Sequence, residues 1–207
     1  DGFTAIDDSK TPIISIYGNV IAPNYNNIDT YLFIYNNDFG EGLRDYFNLT
    51  GMPIMPPRYA FGVWWNKDES YTEMDIQTLV NNFRKNEIPI SVLLLGNYAR
   101  TKNMNSNISF SLDKNIFPNT LGLSEYLKKN NIKLGVTIKT EGVLSNEEVN
   151  FNEFSKIYEK NESVVLNPYD AKMMNAFLKG IINPFITSGV DFFLNDDNNI
   201  KNRTRKF

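Results

Sequence analysis

Two adjacent carboxylates, Asp196 and Asp197, follow the apolar run at 190–194. A carboxylate at the exit of a buried strand is held by rigid sheet below and open to substrate above, a placement suited to nucleophilic or acid–base work. The same pair also fits an ordinary strand-to-loop turn, where Asp and Asn are favoured. Side chains alternate along a strand, so at most one of the two faces a given site. Other groups stand after other apolar runs: Trp64 and Trp65, the only tryptophans; Gly96-Asn97-Tyr98; and Lys139-Thr140-Glu141. Paired tryptophans suit a wall on which a sugar ring packs, and equally suit packing between layers. Lys139 and Glu141 suit substrate binding or a solvated ion pair.

Composition narrows the chemistry further. The chain has no His and no Cys. That removes the commonest general base, the Ser-His-Asp triad, thiol nucleophiles, disulfides and the usual transition-metal sites. Carboxylate-pair chemistry is the leading class that remains, with glycoside hydrolysis its main example. No metal site of usual spacing and no cofactor motif is present, so neither is expected. With 21 basic and 24 acidic residues among 207, the net charge is −3. This balance gives no nucleic-acid footprint and no polybasic membrane patch, and no apolar run approaches the length of a membrane span. Lack of Cys is compatible with cytosol or export, and the compartment stays open between them with a slight lean to cytoplasm. Four Asn-x-Ser/Thr triplets, at Asn48, Asn107, Asn161 and Asn202, are what so Asn-rich a chain yields by chance.

The elements that must position these groups follow from periodicity. Residues 13–17, 20–22 and 30–35 are short β-rich runs, with Gly18-Asn19 a turn signal. Residues 38–49 carry Phe39, Leu43, Tyr46 and Phe47 at helical spacing, with Gly51 at the C-cap position. A Pro-rich stretch through Pro57 reads as an extended linker. Strands are then predicted at 59–65, 90–95, 133–138 and 190–194, separated by helices at 72–85, 121–130, 152–159 and 171–187. Buried-type strands alternating with helices imply a parallel sheet with right-handed crossovers. Two architectures fit: a doubly wound open sheet, or a (β/α)8 barrel as far as its fourth strand. No Gly-rich phosphate loop follows any strand, which argues against a nucleotide-binding doubly wound fold.

The motifs themselves resemble a known family. Leu49-Thr50-Gly51, Pro53, Pro56-Pro57-Arg58-Tyr59-Ala60-Phe61-Gly62 and Trp64-Trp65 look like the entry to the catalytic barrel of glycoside hydrolase family 31. Phe83-Arg84 and Ile88-Pro89-Ile90 match its next helix and strand. Gly189-Val190-Asp191-Phe192-Phe193-Leu194-Asn195-Asp196 resembles its fourth barrel strand, and residues 1–9 and 31–35 resemble the last strands of the preceding β-sandwich. The resemblance covers nearly the whole chain in order. It implies an α/β fold comprising the first half of a TIM barrel, strands 1–4, preceded by a few sandwich strands. The implied division is 1–37 for the end of the sandwich, 38–58 for a helix and linker, and 59–207 for the half barrel.

The function implied is that of a retaining α-glycosidase acting on an oligosaccharide or α-glycoside. Asp196 is then the nucleophile, and the acid/base comes from a later strand, beyond Phe207. Trp64, Trp65, Tyr98, Lys139 and Asp197 are the expected substrate-binding residues. The sequence also departs from the family pattern. Where the family places carboxylates after strand two, this chain has Gly96-Asn97-Tyr98; where related sequences often carry His after strand three, it has Lys139. These departures leave a second reading open, a decayed relative that binds carbohydrate or only scaffolds. The start at Asp1 and the stop after a fourth strand suggest a section of a larger enzyme, inactive by itself and prone to self-association through open barrel edges.

Overall fold

The computed structural model describes residues 2–67, 69, 71–96, 99–100, 109–138 and 142–195. The chain forms two compact units that divide between Pro56 and Pro57. In the first unit, β1 (Phe3–Asp7) pairs antiparallel with β4 (Thr30–Ile34), and β2 (Ile13–Ile14) with β3 (Val20–Ile21). Helix α1 (Phe39–Thr50) starts at Asp38, whose side chain accepts from the Glu41 N–H, and ends at Gly51 with φ +82°. It packs beside β4, with Tyr46 edge-on to Phe33. The hairpin and the helix were both legible from turn residues and apolar spacing.

The second unit is built on a four-stranded parallel sheet. Its strands are β5 (Val63–Trp65), β6 (Ile90–Leu95), β7 (Lys133–Ile138) and β10 (Phe192–Asn195). Their order in the sheet is β10-β7-β6-β5, so sequential barrel strands are spatial neighbours. A doubly wound sheet reverses order at a switch point; this one does not.

Helix α2 (Glu73–Lys85) links β5 to β6 and begins with a reciprocal capping box between Thr72 and Asp75. Helix α3 (Thr120–Lys129), capped by Asn119, links β6 to β7. One face of the sheet packs on these helices: Leu93, Leu95, Leu134 and Val136 share a core with Ile76, Val80, Leu123 and Leu127. The opposite face is the barrel interior, where Leu94, Gly135 and Phe192 meet side by side.

Between β7 and β10 the chain makes an excursion. Strands β8 (Val143–Leu144) and β9 (Val164–Val165) form a short antiparallel pair around α4 (Phe151–Tyr158). Helix α5 (Ala171–Phe177) follows, then a π-helical turn at Leu178–Ile182, then α6 (Asn183–Thr187). A second core collects here, including Phe110, Leu144, Phe151, Phe154, Phe177 and Ile181.

Two predicted elements change. The strand expected at 59–65 begins only at Val63; Arg58–Phe61 is a 3-10 turn, closed by Ala60 N–H to Pro57 O and Gly62 N–H to Tyr59 O. Pro56-Pro57 presets the entry into it. The single helix expected at 171–187 is interrupted by the π turn, which lies just before Pro184, a residue with no N–H to offer the preceding carbonyls. The β8–β9 pair was not foreseen: two-residue strands carry no readable alternation.

Candidate active site

In a barrel of parallel strands, chemistry sits at the C-terminal strand ends and stability at the N-terminal ends. The parity of each strand decides what reaches that rim. Phe193 points outward, edge-on to Phe185 of α6, whereas Phe192 points into the interior against Trp64 and Tyr59. Thr137 and Leu194 are register partners one layer further toward the rim; Thr137 is buried and its hydroxyl donates to Leu95 O at 3.3 Å. Leu194 and Asn195 are exposed, and β10 ends there.

Asp191 precedes β10 at the opposite, N-terminal end. Its carboxylate accepts from Lys133 Nζ at 2.8 Å and from the Leu134 N–H at 3.0 Å. Lys133 Nζ also lies 5.9 Å from the centroid of the Tyr59 ring. Asp191 is therefore consumed in docking β10 onto β7.

The two tryptophans part company. Trp65 faces the helices, T-shaped to Phe83 of α2 at 5.3 Å, and packs between strand and helix. Trp64 faces the interior, 5.4 Å from Phe192, with its indole N–H donated to Ala60 O at 3.2 Å. Phe192 starts β10, three residues and about 10 Å below Asn195. Trp64 therefore lines the inner wall well below the rim. Asp196, Asp197, Tyr98 and Lys139 lie outside the described residues.

A polar cluster that sequence reading missed adjoins the exits of β6 and β7. Glu148 is 4% exposed, and its carboxylate accepts from Ser109 Oγ at 2.7 Å, the Phe110 N–H at 2.8 Å and Ser111 Oγ at 3.2 Å. Arg100 is 7% exposed, its guanidinium over the Phe185 ring at 5.5 Å. Burial pulls the Arg100 pKa down to about 10, and the negative charge of Glu148 acts in the opposite direction. Arg100 stays protonated at neutral pH.

Comparison with known proteins now decides the lineage. Residues 53–206 match the glycosyl hydrolases family 31 TIM-barrel domain. The chain belongs to glycoside hydrolase family 31. An isomaltosyltransferase of Sporosarcina globispora is 35% identical over 69 residues, which is 33% of this chain and 6% of that protein. Alpha-glucosidase 2 of Bacillus thermoamyloliquefaciens is 30% identical over 125 residues, 58% of this chain and 15% of its own. A mutant of the GH31 dextranase of Flavobacterium johnsoniae, complexed with isomaltotriose, superposes over 97% of this chain and 28% of that chain, with a TM-score of 0.66 at 16% identity. The family 31 chain thus spans a small part of the relatives it matches, and the half-barrel fold is shared.

Proposed function

We propose that this family 31 chain contributes the nucleophile half of a retaining α-glycosidase site, with Asp196 as the attacking carboxylate. The observation that carries the choice of residue is the parity of β10. Phe192 and Leu194 take the interior face, while Phe193 and Asn195 take the other. Extending that alternation by one step selects Asp196 over Asp197 for the interior. Relatives named as glucosidase, xylosidase and dextranase support an α-linked substrate.

In the proposed reaction, an Asp196 oxygen attacks the anomeric carbon as the glycosidic C–O bond breaks. A second carboxylic acid, from chain beyond Phe207, gives its proton to the departing oxygen. The same group then takes a proton from water, which opens the ester and returns Asp196 with retained configuration. The two carboxyls would stand roughly 5–5.5 Å apart. Tyr98 and Lys139 are proposed to contact the sugar, their positions in sequence following β6 and β7.

The test is a pair of substitutions in the full-length protein. Asp196→Asn is expected to abolish turnover of aryl α-glycosides, a loss of about 10⁴-fold or more. Asp197→Asn is expected to retain measurable turnover. Full activity in Asp196→Asn would overturn the assignment.

A further inference from the structure

We infer that Glu148 is a positioning residue for sugar binding: it fixes the neck of the loop that leaves the C-terminal end of β6, from a segment that follows the exit of β7. The inference rests on the glycosidase reading above and extends it to a residue that takes no part in the chemical step.

The geometry is that of a clamp. The loop after β6 departs and returns through one narrow point. Asp113 N–H donates to Ala99 O at 2.9 Å, and Arg100 and Leu112 form an antiparallel bridge. Three consecutive residues of the returning limb, Ser109, Phe110 and Ser111, all donate to the one Glu148 carboxylate. Phe110 beneath them is 1% exposed and sits edge-on to Phe177 at 5.2 Å, so the limb is held by a polar grip above and an apolar anchor below. Glu148 itself lies between β8 and α4, in the excursion that follows β7. Two neighbouring strand exits are thereby tied at a fixed spacing, at the end of the barrel where substrate is bound.

Packing alone does not call for this arrangement. A buried carboxylate is costly, and an apolar filler of equal volume commonly serves stability as well or better. Here three donors converge on the carboxylate, and a buried guanidinium stands near it. Arg100, on the departing limb, is under the electrostatic influence of Glu148, and its Nη1 has no hydrogen-bond partner among the described residues. Removing the carboxylate would free the returning limb and leave Arg100 buried without its counter-charge. Both limbs of the neck depend on one side chain, which is what a positional constraint on the β6 rim requires.

The test uses the full-length protein with an aryl α-glucoside and an aryl α-xyloside as probes. Glu148→Ala is expected to raise KM about tenfold or more, the weight of a charge-assisted hydrogen bond, with kcat changed far less. Glu148→Gln, which keeps a carbonyl acceptor for the Phe110 N–H, is expected to fall between Ala and wild type. The Ser109→Ala/Ser111→Ala double variant keeps the test available if Glu148→Ala fails to fold, and is expected to raise KM in the same sense. Amide exchange at Phe110 is expected to accelerate in step with KM. Phe154→Leu, a core change in the same excursion, is the control for general loosening and is expected to lower Tm without moving KM. Unchanged KM in the Glu148 variants, or an equal KM rise in Phe154→Leu, would overturn the positioning role while leaving the glycosidase reading intact. A wild type that neither binds nor turns over either probe would overturn both.

Discussion

Gly135 shows how a single residue shapes the interior. It sits on β7 between Leu94 and Phe192, and a Cβ at its position would come within 2.5 Å of the Phe192 ring and 2.8 Å of a Leu94 methyl. Phe192 in turn abuts Trp64 and stacks on Tyr59. Gly135→Ala is expected to push the Phe192 ring off its seat and cost about 1–3 kcal/mol, the range for overpacking a filled core. Chemical denaturation of the protein would read this directly; an unchanged midpoint would contradict the close packing. The same scale explains what the sequence could and could not say about the tryptophans. Their adjacency and their place before a polar loop were visible. Which one faces the interior depends on a register shift between Val63 and Trp64, and nothing in the local residues announces it. Glu148 was equally hidden, because its donors lie 37 to 39 residues away in the chain.

Elements were most legible where local chemistry and burial agreed. The runs ISVLLL and KLGVTI are apolar enough to be buried strands wherever they fall, and Thr72 with Asp75 marks a helix start by itself. The segment 171–187 is less legible: besides Pro184, it carries Gly180, which lies so close to the backbone of Phe154 that a Cβ there would be 2.5 Å from its nitrogen. The π turn and the close crossing on α4 are tertiary demands that helical periodicity does not encode. The start of α5 carries a pH-dependent contribution. Asp170 caps the helix through the Met173 N–H, and accepts from the Tyr158 hydroxyl of α4 at 2.8 Å. The Met173 N–H, then the Tyr158 hydroxyl, hold the Asp170 carboxyl below the usual carboxylate range, while that same bond raises the Tyr158 hydroxyl above its usual value. A lowered carboxyl stabilises the fold above its unfolded pKa, and the effect fades as pH falls through the folded value. A raised phenol stabilises below its unfolded pKa, and the effect fades as pH rises through the folded value. The stability gap between wild type and Asp170→Ala is therefore expected to be widest between about pH 5 and 9, and to shrink on either side. A gap flat from pH 2 to 11 would contradict the coupling.

At the scale of the whole molecule, four parallel strands in barrel order leave β5 and β10 each hydrogen-bonded to a single described neighbour. Unpaired edges of this kind invite pairing. The 207-residue chain by itself is expected to self-associate in light scattering, and a clean monomer would count against open edges in solution. The lineage was legible at this scale because two blocks of sequence, one entering β5 and one running through β10, keep their order and spacing across the described sheet. The division of labour inside it was less so. Asp191 and Asp196 stand in one block, yet Asp191 is spent at the N-terminal end holding Lys133 and the Leu134 N–H. The proposed chemistry therefore rests on Asp196, the next carboxylate in the sequence after Asp191. It is tested most directly by trapping the glycosyl-enzyme in the full-length protein with a fluorinated glycosyl fluoride, which esterifies the nucleophile quickly and leaves it slowly, followed by peptide mass mapping. The label is expected on Asp196. A label on Asp197 or on any other residue, or turnover with no covalent adduct, would contradict it.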